Sequence, residues 1–289
     1  MVGPPDRRTR RGLNMRKTPL IAVLAITALS AAGCGDDDNG STSPSSSGSS
    51  SPGASTVDLG LVHDGTITIC SDLPYPPFED EDASKPSGYG GFDIDLMQAI
   101  ADNLGVTITV QVTPFDSIQS GTAMTADQCD IAASAMTITD ERKENLGFSD
   151  PYYDSLQSLL ARDDAGISSL DDLAGKKIAV QSSTTGQAYA TENAPSSAQI
   201  VEFPDDPSMW AALQANQVDA ILQDLPVNLE HAKTDGYEIV EQYPTDEQYG
   251  FAVKKEGKEA LLDAVNAQLQ ALRDDGTYDT IYDSYFSAS

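Results

Sequence analysis

GFDIDLMQAIADNLGVTITVQV, residues 91–112, reads as a helix running straight into a strand. Ile94, Met97, Ile100, Ala101 and Leu104 recur at helical spacing and share one face. Gly105 stands where a helix C-cap takes a left-handed residue. Residues 106–112 then form a short β-branched run, the signature of a strand. Upstream, GTITIC (residues 65–70) reads as a strand too, so helix and strands alternate.

The alternation continues outward. Residues 129–134, 176–181, 199–203 and 218–223 read as further strands, with helices at about 185–193 and 207–216. This predicts an α/β chain with mostly parallel sheets. The pattern falls into two blocks. Between them lies SDPYYDSLQSLLAR (residues 149–162), whose second half reads as an extended connection. A second extended stretch, residues 247–255, precedes a long terminal helix with Leu261, Leu262, Val265, Leu269 and Leu272 at core spacing and Gly276 beyond its end. Two crossings predict two lobes on a two-strand hinge. Residues 58–154 and 249–289 make lobe one, and residues 155–248 make lobe two. In such sheets sites gather at the carboxyl ends of strands, and a cleft between lobes is the default pocket.

The chain of 289 residues carries 17 Lys and Arg against 45 Asp and Glu, a formal net charge of −28. Six of the bases and one acid lie upstream of Cys34, so the rest is more acidic still. Such a chain does not attract nucleic acid or anionic lipid through its own field. The acidity reads as a solubility feature. The N-terminus (residues 1–33) reads as a signal peptide: Arg16 and Lys17 form a basic region, and residues 20–29 an apolar one too short to span a bilayer. Met15 suits a start better than Met1, because MRKTPL is compact. LSAAGC, ending at Cys34, resembles a bacterial lipobox, although Ala31 stands where leucine is commoner. That resemblance implies lipidation at Cys34 and a membrane anchor; the plainer reading is a buried thiol. Residues 34–57 are Ser, Gly, Pro and Asp with little to bury, and are expected to be a flexible tether. Cys70 and Cys129 are expected to be two buried thiols, because neighbouring parallel strands would stagger them beyond disulfide reach.

Five loops at strand ends carry the candidate chemistry: SDLPYPPFE (71–79), TPFDS (113–117), SAMTITDER (134–142), QSSTTG (181–186) and QDLP (223–226). Arg142 stands out. It is one of three arginines after the leader, with Arg162 and Arg273, and it follows small hydroxyls at a helix start, a fork of donors suited to a carboxylate.

Together the motifs YPPFE, GFDID, MTITDER, FSDPYY, VQSSTTG, DAILQD and DGTYDTIYDSYF, in that order, resemble the polar amino-acid type of bacterial extracellular solute-binding protein, family 3. The resemblance spans about residues 65–286. It implies a two-lobed, type II periplasmic-binding-protein-like fold and a receptor that hands a polar L-amino acid to the permease subunits of an ABC importer. It implies no cofactor and no catalysis. Its residue roles carry over as follows. Arg142 would pair with the ligand α-carboxylate, with Thr137 and the backbone at Ala135 adding donors. Thr184 and Thr185 would donate from the other lobe. Asp224, helped by the Ser134 carbonyl, would take the α-ammonium. Tyr75 and Phe115 would sandwich the ligand side chain, and Asp72 and Gln181 would read its polar end. Ser183 departs from the glycine frequent in its loop, and Ala135 from Ser or Gly.

Each role has a plainer rival. Arg142 suits a surface pair with Asp140 or Glu144. Asp224, Thr184 and Thr185 suit helix caps, and Tyr75 and Phe115 suit core positions. Trp210 reads as core, and the runs at 79–82 and 171–175 as solvated loops. His63 and His231 lack metal-ligand spacing. The chain is expected to be a monomer. The rival functions are a dehydratase of the cyclohexadienyl or arogenate type, needing Glu79 or Asp72 as acid or base, and a sensor that partners a signalling receptor.

Overall fold

A computed structural model describes residues 58–287. The expectations for the signal peptide, Cys34 and the tether fall outside the described residues.

Strand β1 (Thr66–Ser71) leads through a small hairpin, β2 (Asp80–Glu81) and β3 (Tyr89–Gly90), into α1 (Phe92–Leu104). Helix α1 buries Phe92, Ile94, Leu96, Met97, Ile100 and Ala101, and Gly105 caps it at φ 71°. Gly91 is required where α1 starts: a Cβ there would run into the Phe78 carbonyl. Strand β4 (Thr107–Val112) pairs parallel with β1. Then follow α2 (Phe115–Gln119), α3 (Thr122–Thr125), β5 (Ile131–Ala132), α4 (Asp140–Lys143) and β6 (Leu146–Phe148). Strand β7 (Tyr153–Arg162) crosses to the second lobe. There β8 (Lys177–Gln181), α5 (Thr185–Asn193), β9 (Gln199–Phe203), α6 (Asp206–Gln214), β10 (Ala220–Asp224) and α7 (Leu225–His231) continue the alternation. Strand β11 (Tyr237–Tyr249) returns along β7, and β12 (Ala252–Lys254), α8 (Glu259–Asp274) and α9 (Thr277–Phe286) complete the first lobe.

The two five-stranded sheets run β4-β1-β5-β12-β6 and β11-β7-β10-β8-β9. They are mixed rather than mostly parallel. Strands joined through helices are parallel, as β1 with β4 and β5, and β8 with β9 and β10. The strands that carry or follow the crossings are antiparallel to their neighbours, β7 to β10 and β11, and β12 to β5 and β6. A crossing that reaches its sheet directly, without a helical return, arrives running the other way.

The first core packs Ile67, Ile69, Met97 and Ile100 against Leu261, Val265 and Leu269 of α8. Aromatics close its hinge side, with Phe286 of α9 5.0 Å from Phe92 and Tyr152 stacked 4.3 Å from Phe251. The second core gathers Leu159, Ile178, Val180 and Leu222. Each such side chain contributes roughly 1.5–3 kcal/mol by leaving water.

Cys70 and Cys129 correct the expectation of two free thiols. They form a disulfide, S–S 2.09 Å, with Cα atoms 5.7 Å apart. Strands β1 and β5 are parallel neighbours as assumed, with Cys70 level with Ala132. Cys129, however, precedes β5 rather than lying on it. Both cysteines sit in one small apolar cluster with Phe115, Ile118 and Met124.

Candidate ligand cleft between the lobes

The segments at the carboxyl ends of β1, β4, β5, β8 and β10 converge between the sheets. They surround a small cavity lined by Asp72, Tyr75, Phe115, Ser134, Ala135, Thr137, Arg142, Gln181, Thr184, Thr185 and Asp224. All eleven residues singled out from sequence meet there.

Arg142 is the cationic pole. Thr139 caps α4 by accepting from the Arg142 N–H, which sets the side chain facing the other lobe. The side chain is 5% exposed. One guanidinium nitrogen donates to the Thr137 carbonyl at 2.8 Å and another to the Ser183 carbonyl across the cleft at 3.2 Å. The guanidinium lies 5.1 Å from the centre of the Phe115 ring. Burial lowers its pKa to about 10. No surface pair forms; Asp140 is met by Lys143 instead, at 3.5 Å.

Asp224 is the anionic pole. It stands at the N-cap position of α7, yet its side chain makes no cap bond. Its oxygens accept from Tyr75 Oη at 2.8 Å and Gln157 Nε2 at 2.6 Å. Burial, reinforced by the charge of Glu247, raises its pKa to about 7. Asp72 accepts from Gln181 Nε2 at 2.7 Å, joining the lobes at a second point. Its pKa rises to about 6, chiefly through burial.

Several donors expected for a ligand are already committed. The Ala135 N–H donates to Asp93 at 2.8 Å. The Thr184 hydroxyl accepts from the Gln187 N–H and donates to the Gln181 carbonyl, so it caps α5. Ala135 at φ 43° and Ser183 at φ 66° hold left-handed backbone, which is why glycine suits these two loops elsewhere.

Glu79 was expected in a solvated acidic run. Asp80 and Glu81 are exposed, but Glu79 is fully buried and accepts from Ser134 Oγ at 2.9 Å. Burial and the nearby Asp93 push its carboxyl well above the usual range. A carboxyl held protonated needs no water, which a charge-run reading overlooks. The other run follows Ser169, which forms a capping box with Asp172. Trp210 is half-buried and stacks on His231 at 4.4 Å, and His231 Nε2 meets Asp206 at 2.8 Å. Among the described residues no group of three or more His, Cys, Asp or Glu is placed to hold a metal ion.

Two buried polar residues at this site escape sequence reading, Gln157 on β7 and Glu247 on β11. Gln157 had a faint signal, a long amide inside the strand run SLQSLLA.

Two α/β lobes closing a doubly charged cleft define a solute-binding architecture. The chain belongs to the bacterial extracellular solute-binding proteins, family 3, whose model matches residues 67–288. It is similar to a probable histidine-binding protein of Neisseria gonorrhoeae, 31% identical over 95% of this chain and 97% of that protein. It is 33% identical to an L-arginine-binding protein of Pseudomonas aeruginosa, over 78% of this chain and 89% of that one. Among solved structures, an ancestral arginine-binding protein bound to glutamine matches with a TM-score of 0.72 and 34% identity, covering 78% of this chain and 100% of that one.

Proposed function

We propose that this chain is the extracytoplasmic receptor of an ABC importer, anchored through a lipidated Cys34, and that it closes as a monomer around one polar L-amino acid. The observation that carries this is the pair of opposite poles facing one cavity, Arg142 from lobe one and Asp224 from lobe two. Arg142 takes the α-carboxylate and Asp224 the α-ammonium; Tyr75 and Phe115 flank the side chain. Asp72 and Gln181 read its far end. With the two poles matched by the zwitterion, Asp72 remains as an acceptor, which favours an amide or a basic side chain. The relatives named for histidine and arginine, and the neighbour holding glutamine, support that class. The lobes are assigned as residues 58–154 with 249–289, and residues 155–248.

Isothermal titration against a panel of amino acids tests this reading. Binding to an amide or basic amino acid is expected; tightest binding to glutamate or aspartate would overturn the assignment of Asp72. The named relatives are binding proteins rather than enzymes. Of the two carboxyls that a dehydratase could use as acid or base, Glu79 lies behind Ser134 and does not line the cavity, whereas Asp72 does.

A further inference from the structure

Glu247 lies outside the cavity lining yet touches both of its walls. It sits near the end of β11, opposite Ser155 of β7, where the chain returns between the lobes. Its side chain is buried. One oxygen, Oε2, accepts from Thr137 Oγ1 and from Thr185 Oγ1, each at 2.7 Å. The two hydroxyls are drawn to 3.4 Å from one another.

The two contacts differ in kind. Thr137 is fastened to the return strand by its neighbours: the Ile138 N–H donates to the Gln248 carbonyl and the Gly250 N–H to the Met136 carbonyl. Thr185 opens α5 in lobe two, so one carboxylate oxygen on the returning strand joins a threonine from each lobe. A hydroxyl has a single proton. With both protons given to Glu247, Thr137 and Thr185 turn lone pairs, not donors, towards the cavity. That reverses the role expected for them from sequence.

We propose that Glu247 is a positioning residue that latches the lobes, taking the hydroxyl protons of Thr137 and Thr185 so that the cleft closes and both threonines serve the cationic end of the ligand. Charge-assisted bonds of this kind are the stronger class of hydrogen bond, so the latch biases the empty protein towards closure.

The test is small-angle X-ray scattering of the ligand-free full chain, together with titration by L-arginine and L-glutamine. Glu247→Leu is expected to enlarge the ligand-free radius of gyration and weaken whichever probes bind by about tenfold to a hundredfold. Thr137→Val/Thr185→Val removes the same bonds while leaving β11 untouched, and is expected to do the same. Combining all three substitutions should add little. Glu247→Gln keeps an acceptor and should restore part of the loss. The latch is overturned if Glu247→Leu scatters like the unmodified protein, if the unmodified protein is already as open, or if the effects are fully additive. Should neither probe bind, the amino-acid reading fails, and the scattering still decides the latch.

Discussion

Arg142 and Asp224 line one cavity from opposite sides, and their burial sets what each substitution costs. Arg142→Ala leaves buried acceptors and any bound carboxylate without a partner. Titration should show every amino-acid ligand weakened by at least about thirtyfold, because truncating one member of a buried charge pair costs about 2–5 kcal/mol. Asp72→Ala should change the preference among ligands instead. The raised carboxyl pKa values carry a pH signature of definite sign. Asp72 at about 6 and Asp224 at about 7 hold protons in the folded protein that an unfolded chain has already lost. The empty protein should therefore lose thermal stability as pH rises from about 4 through about 7. Ligand binding moves the other way. An ammonium needs Asp224 ionised, so uptake expels a proton near neutrality and the affinity falls towards acid. Calorimetry in buffers of different ionisation heat should detect that proton; identical heats would place the ammonium elsewhere. At this scale the sequence is informative wherever a side chain faces the ligand. It is silent about Glu247 and Glu79, whose roles depend on partners at Thr185 and Ser134, distant in the chain.

Periodicity within a segment reveals the elements well and their mutual contacts poorly. Strand β9 and helix α5 occupy the residues expected for them, and α1 ends at the glycine that announced its end. The short helices α2 and α3 are not legible because four or five residues hold too little of a helical period to distinguish, and α4 shows only as the helix start at Arg142. The first half of β11 is not legible because its burial hardly alternates: Tyr237 to Gln242 are all half-buried or exposed. The disulfide belongs here as well. It fastens the segment leading to Ser134 and Ala135 to the end of β1, which leads into Asp72. It closes a separation of 59 residues. Cys70→Ala/Cys129→Ala should lower unfolding stability by about 2–4 kcal/mol in chemical denaturation. A loss below about 0.5 kcal/mol would mean that native packing alone holds these loops.

At the largest scale, the described residues form two lobes on a two-stranded ribbon, β7 against β11, paired from Tyr153 with Tyr249 to Arg162 with Tyr237. Both crossings were legible as extended stretches between blocks of alternating elements. Their pairing over nearly the full length of β7 was not, because strand partnership is a long-range fact. A saturating ligand should shrink the scattering radius; an unchanged radius would argue that the cleft stays shut throughout.

The order of strands has a consequence in time. Lobe two is a single unbroken stretch of chain, whereas β12, from the far end of the sequence, sits between β5 and β6 inside the first sheet. The first sheet stays incomplete until that late strand arrives, and the loop to be closed before it docks contains the whole second lobe. Long-range pairing of this kind is slow, and units with local contacts form ahead of it. Pulse-labelled hydrogen exchange during refolding should find the amides of β8 and β10 protected before those of β12. The last-made strand thus acts as a keystone: a chain cut short before Ala252 would retain a formed second lobe and an unfinished first.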